Sequence, residues 1–579
     1  MSSRRNVFLL VLLLVAIGAA GLVAVTRLRR PPSAGSDKHV LVYDVPGDIE
    51  ESAPNVSPYS LSALRPDRPS LREITDAVRR AGEDEHIRAV SLHVGGAEWG
   101  WAKVAEMREA LREFQTRGKP VYVSFSGGSD QAYLLVSGAD RIAMPQTALL
   151  GLDGLTASAM FLKGTYDKVG IRPNFAHVGS FKSAVEQYTR TDLSPDGRRA
   201  LEELLDDEFA LLVDSLASAR GVPRDSMVRL IDRGPFPAGS ALAAGLIDTL
   251  LDEAELDSLA CARAGTRVTP LTMTRYLEQL PELDTGGPAI ALVTASGTIV
   301  PGRDREGMWD GRQLGSESLV RALQQARLDK SVKAVVLRVD SPGGSGQASD
   351  DIWQEIRRLR KTKPLVVSMS NLAASGGYYI ACGSDGIVAQ PGTITGSIGV
   401  FGGKLNILGL YQKLGLNIET VSRGKHAEMM SPFKDFSPEE LESFQFQMDD
   451  FYRVFLDRVS SGRGMTAAEV DSIAQGRVWS GAAALRLGLV DTLGGLQTAI
   501  SLARDRAGIP EEEEVRVRPY PDRHRAHFKR FITSFLDDDE ETEVSLLARL
   551  PSPVVAWLHA ASFPAGTALA LMPYSIVIR

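Results

Sequence analysis

The sequence predicts an α/β protein made of one domain written twice. Three observations carry this. The chain matches itself at an offset near 245: HIRAVSLHV (86–94) lies on SVKAVVLRV (331–339), and KPVYVSFS (119–126) on KPLVVSMS (363–370). DRIAMPQTALLGLDGL (140–155) falls without a gap on DGIVAQPGTITGSIGV (385–400), with Gly151 on Gly396 and Gly154 on Gly399. Within each copy, short β-branched runs alternate with amphipathic stretches, which argues a parallel sheet with crossover helices. Finally, 579 residues exceed what one hydrophobic core usually supports.

From the amino terminus, residues 1–6 precede an uncharged run at 7–26. Twenty such residues make about 30 Å of helix, enough to cross a bilayer. We expect one N-terminal transmembrane helix there, with cleavage near Ala19-Ala20-Gly21 as the alternative. The amino terminus, Arg4 and Arg5 before it balance Arg27, Arg29 and Arg30 after it, so charge sets no orientation. A linker at 27–38 leads to the first repeat (39–280), whose strand-like VLVYDVPGDI (40–49) matches IALVTASGTI (290–299) in the second (288–505). Ser437, Pro438 and Glu440 supply an N-cap, an N1 proline and an N3 glutamate, opening a helix through Leu441, Phe444, Met448, Phe451, Tyr452 and Phe455. Ser194-Pro195 opens its counterpart through Leu201, Leu204, Leu205, Phe209 and Leu212. Such stripes are core or subunit interface.

The repeat ends near residue 505, and a tail (506–579) follows. It runs through EEEE (511–514), a basic stretch at 516–530 read as a solvated linker, and an acidic cluster at 537–541. Its apolar end carries Pro551, Pro553, Pro564 and Pro573, which argue against a second spanning helix. That end is expected to lie on lipid, to dock on the body, or to probe a substrate groove.

A net charge of −7 argues against a nucleic-acid partner. Cys261 and Cys382 are too few for a disulfide framework or a Cys-rich zinc site, and no metal or cofactor is called for.

The copies differ where chemistry is expected. After the strand-like VVSMSNL comes Ala373-Ala374-Ser375-Gly376-Gly377, which puts a hydroxyl at a strand end before a helix and leaves the next backbone N–H free to face an oxyanion. Upstream, Asp340-Ser341-Pro342-Gly343-Gly344-Ser345 offers a glycine loop with a second donor. These are the parts of an acyl-transfer site, and the serine needs a base. There is no G-x-S-x-G elbow, and His426 lies opposite Phe181 in the repeat, so a desolvated lysine is the alternative. Aligning Gly179 with Gly424 sets Lys182 against Ala427, whereas Lys404 and Lys425 lack such a complementary position. Gln131 is the residue nearest opposite Ser375. Each copy holds what the other lacks.

DSPGGS (340–345), AASGGYY (373–379), TGSIGV (395–400) and GSFKSAVE (179–186) together resemble the signal peptide peptidase A family, also called protease IV, in its long duplicated membrane-bound form. The resemblance covers about 39–505 plus the anchor. It implies tandem ClpP/crotonase-like domains and a Ser/Lys dyad split between repeats, with Ser375 as nucleophile and Lys182 as general base. Ser397 would orient the lysine, and Gly376 with Gly343 or Gly344 would donate to the oxyanion. The first copy has Leu152 where Ser397 lies. Also implied are a homotetramer on the periplasmic face of the inner membrane, contact with lipid, and degradation of cleaved signal peptides and other apolar peptides. A lysine neutral near pH 7 costs roughly 4 kcal/mol against its charged form. A crotonase-like acyl-CoA enzyme and a non-catalytic membrane scaffold are the alternatives.

Overall fold

The computed structural model describes residues 38–52, 69–280, 287–307, 311–521, 568–572 and 577–578. The expected anchor at 7–26 lies outside the described residues. Among these no helix is long and apolar enough to cross a membrane.

Both copies are α/β and share one layout. The first is built on a parallel six-stranded sheet in the order Val268–Thr272, Lys38–Val45, Ile87–Gly95, Val121–Gly127, Arg141–Met144, Thr249–Leu250. The second sheet repeats the central order as Arg516–Tyr520, Ala289–Ser296, Val332–Ser341 and Leu365–Ala374, with Gly386–Ala389 and Thr492–Leu493 following. Registers repeat as well: Val90 pairs with Val121, and Val335 with Leu365. Tyr133 donates its hydroxyl to the Leu246 carbonyl, and Tyr378 does the same to Leu489.

Local sequence explains the helices. Leu71–Glu83 and Ser316–Leu328 are 13-residue partners 245 positions apart. Pro195–Arg220 and Pro438–Arg463 each run 26 residues, from a serine N-cap with proline in the first turn to a left-handed glycine, Gly221 or Gly464. Leu204 and Leu212 are buried on one, and Phe444, Met448, Tyr452 and Phe455 on the other, whereas Leu441 stays exposed.

The sheet of the second repeat continues past residue 505. Arg516–Tyr520 pairs with Ala289–Ser296, as Val268–Thr272 pairs with Lys38–Val45. The start of the expected solvated linker is therefore an edge strand, with Arg518 stacked over Tyr520 and reaching Asp329.

Strand pairing and buried side-chain contacts join the copies. Strand Arg172–Val178 of the first pairs antiparallel with Val400–Asn406 of the second, from Val178 opposite Val400 to Arg172 opposite Asn406. Deep between them, Arg338 reaches Glu51 at 2.8 Å and Glu106 at 2.7 Å. Ser368 Oγ accepts from Arg338, and the Ser370 hydroxyl donates to Glu51. Asn371 accepts from Ala102 and Lys103 at a helix start of the first copy.

Candidate active site

Strand Leu365–Ala374 stops at Ser375, and the helix Gly376–Ala381 begins directly after it. Ser375 has φ +54°, a conformation that costs a non-glycine residue energy and is held by surrounding structure. Its N–H donates to the Gly396 carbonyl at 2.8 Å. Ser397 also has positive φ, +52°, and its N–H is fixed on the Arg477 carbonyl. The two backbone kinks turn both hydroxyls toward one point.

Lys182 arrives at that point from the other copy. After Arg172–Val178 the chain turns at Gly179, where an added Cβ would fall 2.4 Å from the Gln475 backbone. Phe181 donates to the Gln475 carbonyl at 2.8 Å. Gly476 and Gly399 then press on the lysine: a Cβ on Gly476 would lie 2.6 Å from its backbone, and one on Gly399 3.1 Å from Cδ. Lys182 Nζ lies 2.8 Å from Ser375 Oγ, 3.0 Å from Ser397 Oγ and 3.1 Å from the Ser397 carbonyl. Lys182 is 1% exposed and both serines are fully buried. Burial pushes the lysine well below its ordinary range, because the charged amine loses its hydration. A neutral amine beside a hydroxyl can take its proton.

Gly376 N lies 2.5 Å from where a Cβ of Gly343 would be, so the glycine loop and the residue after Ser375 are in contact. The Gly343 N–H points at Ser341 Oγ, 3.2 Å away, and Ser341 is anchored on the Gly297 carbonyl at 2.7 Å. Gly344 belongs to the short strand Gly343–Ser345 and pairs with Ala570 of the tail.

Every residue singled out in the sequence for this chemistry is therefore in one place: Ser375, Lys182, Ser397, Gly376, Gly343 and Gly344. The other bases weighed are elsewhere. Lys404 donates to the Met429 carbonyl, Lys425 pairs with Glu439, and His426 is exposed. The sequence reading missed Ser341, which steadies the glycine loop, and Gln475-Gly476, which seats the lysine turn. It also misplaced the first-copy counterpart. The shared tyrosine contact, Tyr133 for Tyr378, puts Asp130 opposite Ser375, and the helix N-caps put Ser129 there. The repeats shift by one residue between strand and helix, which the sequence alignment did not register. Asp130 accepts from Gly154, and burial pushes its carboxyl up to about 7.

The model for peptidase family S49 matches residues 113–264 and 357–510, one segment in each copy. The chain is 34% identical over 464 residues to "Serine protease SPPA, chloroplastic" of Arabidopsis thaliana, covering 77% of this chain and 67% of that protein. It is 33% identical over 470 residues to "Protease 4" of Salmonella typhi, covering 78% and 74%. With "Protease 4" of Haemophilus influenzae the identity is 32% over 455 residues, covering 76% and 73%. The chain belongs to peptidase family S49, as a serine peptidase of the long, internally duplicated signal peptide peptidase A form.

Proposed function

We propose that the chain is a membrane-anchored endopeptidase in which Ser375 is the nucleophile and Lys182 the general base, acting on cleaved signal peptides and other apolar peptides. The observation that carries this is the buried Nζ to Oγ contact of 2.8 Å between the copies. Neutral Lys182 takes the Ser375 proton as Oγ attacks the substrate carbonyl. The Gly376 N–H and one from Gly343-Gly344 hold the oxygen as it gains charge. Protonated Lys182 then gives its proton to the departing amine, and water, deprotonated by the same lysine, clears the acyl-enzyme. Ser397 keeps the amine aimed at Ser375 with its hydroxyl and carbonyl.

Each repeat is read as ClpP/crotonase-like, with the Arg172–Val178 pairing delivering the base across the copies. Placing residues 7–26 in the inner membrane and the body on its periplasmic side agrees with an apolar peptide substrate. A homotetramer agrees with the apolar residues left exposed near the second repeat's counterpart of that pairing strand, where Leu416 is 48% and Val421 81% exposed. Being a peptidase of this family, the chain is no acyl-CoA enzyme. An assembly-only scaffold would leave the lysine's burial against Ser375 without a use.

The test is peptide cleavage by detergent-solubilised protein, comparing wild type with Ser375→Ala and Lys182→Ala. Each substitution is expected to abolish cleavage while fold and assembly persist. Retained activity in either purified variant refutes the dyad.

A further inference from the structure

The first copy carries a polar cluster that the dyad does not use. Asp44 on strand Lys38–Val45 lies directly opposite His93 on strand Ile87–Gly95. By the period of two, Ser91 and His93 turn to the same face of the sheet. Glu253 and Asp257, one turn apart on helix Glu253–Ala264, meet them there. His93 Nδ1 lies 2.7 Å from Asp44 Oδ1 and 3.3 Å from Glu253 Oε1, and Nε2 lies 3.2 Å from Asp257 Oδ1. The Ser91 hydroxyl donates to the same Asp257 oxygen at 2.6 Å. The imidazole side chain is only 10% exposed.

Comparison of the two copies gives this cluster a meaning. Val90 pairs with Val121 as Val335 pairs with Leu365, so His93 corresponds to Arg338. Asp44, opposite His93, corresponds to Thr294, opposite Arg338. The short strands Thr249–Leu250 and Thr492–Leu493 pair alike, which sets Glu253 against Leu496 and Asp257 against Ile500. In the second copy this point of the sheet holds a permanent cation, Arg338, whose carboxylates Glu51 and Glu106 come from the first copy. In the first copy three carboxylates of its own stand where the second has threonine, leucine and isoleucine. They surround a side chain that carries at most one positive charge. Among the described residues no lysine or arginine pairs with Asp44, Glu253 or Asp257.

The hydrogen bonds also fix the ring. Asp257 accepts, so Nε2 carries a proton and Nδ1 turns to the oxygens of Asp44 and Glu253. Two anionic oxygens around Nδ1 call for a cation between them, either a proton or a metal ion. The three donor atoms all lie within 4.8 Å of one another. Neighbouring ligands of a tetrahedral zinc stand about 3.3 Å apart when each bond is about 2.0 Å. Glu253 is already at that spacing from Nδ1, and the exposed Asp44 side chain is free to open to it.

We propose that Asp44, His93 and Glu253 bind a divalent transition-metal ion of the zinc class, with water completing its coordination. Asp257, steadied by Ser91, orients the imidazole from behind. One imidazole nitrogen with two carboxylates favours zinc over magnesium or calcium, which take oxygen ligands. The ion ties two neighbouring strands to the start of a helix, so it braces the first copy as Arg338 braces the contact between copies. No sequence motif announces it, because its members lie on three elements far apart in the chain.

The test uses untagged full chain in detergent, stripped with chelator, then titrated with zinc chloride by calorimetry and melted with and without zinc. Wild type is expected to bind one zinc per chain and to melt at a higher temperature in its presence, and magnesium to do neither. His93→Ala and Asp44→Asn are both expected to lose the binding and the thermal shift. Asp44 is 88% exposed, so its replacement leaves the fold intact, and unchanged peptide cleavage by both variants shows that they are folded. Asp257→Ala is expected to weaken zinc binding about 10–100-fold. Wild type that cleaves peptide but neither binds zinc nor gains thermal stability overturns the proposal. Zinc binding that is unchanged in either folded variant, His93→Ala or Asp44→Asn, overturns it as well, because the ion then sits elsewhere.

Discussion

Replacing Lys182 with methionine is expected to abolish activity and to stabilise the fold near neutral pH. An ordinary lysine titrates near 10.4, so holding the amine neutral at pH 7 costs about 4–5 kcal/mol relative to the unfolded chain. Methionine has similar length and no charge to strip of water. Against this gain, Ser375 Oγ, Ser397 Oγ and the Ser397 carbonyl each lose a partner, at about 1 kcal/mol apiece. The net stabilisation is therefore about 1–2 kcal/mol at pH 7. The sign with pH follows from proton counting. Burial lowers the lysine's proton affinity in the fold, so the unfolded state binds more protons below 10.4 and wild-type stability rises with pH. The advantage of Lys182→Met should shrink by about 1.4 kcal/mol per pH unit and change sign near about pH 8. Urea unfolding of both proteins by tryptophan fluorescence, from neutral pH to about pH 9.5, measures it. A difference independent of pH, or a variant less stable at pH 7, would mean the amine is charged in the fold and is no general base.

Ser397→Ala is expected to lower kcat about fivefold with KM unchanged, the loss of about 1 kcal/mol of hydrogen bonding that aims the amine; steady-state kinetics check this. Gly344→Ala would place a Cβ 2.0 Å from the Ile299 carbonyl oxygen at a residue with φ +156°, and the displaced N–H should cost roughly a hundredfold or more in kcat. Arg338→Leu leaves Glu51 and Glu106 buried without their partner, so urea unfolding should report about 3–5 kcal/mol of lost stability, largest where the carboxyls are ionised. Replacing all three together with apolar residues should recover most of that loss.

The duplication was legible because it is a matter of spacing: glycines, prolines and caps recur near offset 245, and Ser194-Pro195 and Ser437-Pro438 open helices of equal length. The meeting of Lys182 with Ser375 was legible because the copies are complementary, each residue lacking a like one opposite. Other features depend on context that no local pattern carries. Arg516–Tyr520 alternates charge with apolar residues and reads as linker; only the free edge of Ala289–Ser296 makes it a strand. Leu569–Leu571 is a strand because Gly343–Ser345 and Val400–Asn406 leave a slot between them. The position opposite Ser375 was missed because the repeat slips between strand and helix. The Arg338 cluster joins side chains hundreds of positions apart, and Glu51 and Glu106 are unremarkable until Arg338 is found beside them.

The claim at the centre is that a neutral Lys182 activates Ser375. A serine-reactive fluorophosphonate, followed by peptide mass mapping, tests it most directly. The account predicts one modified residue, Ser375, in wild type and none in Lys182→Ala. Modification at a different serine, or equal labelling of Ser375 without the lysine, would contradict it.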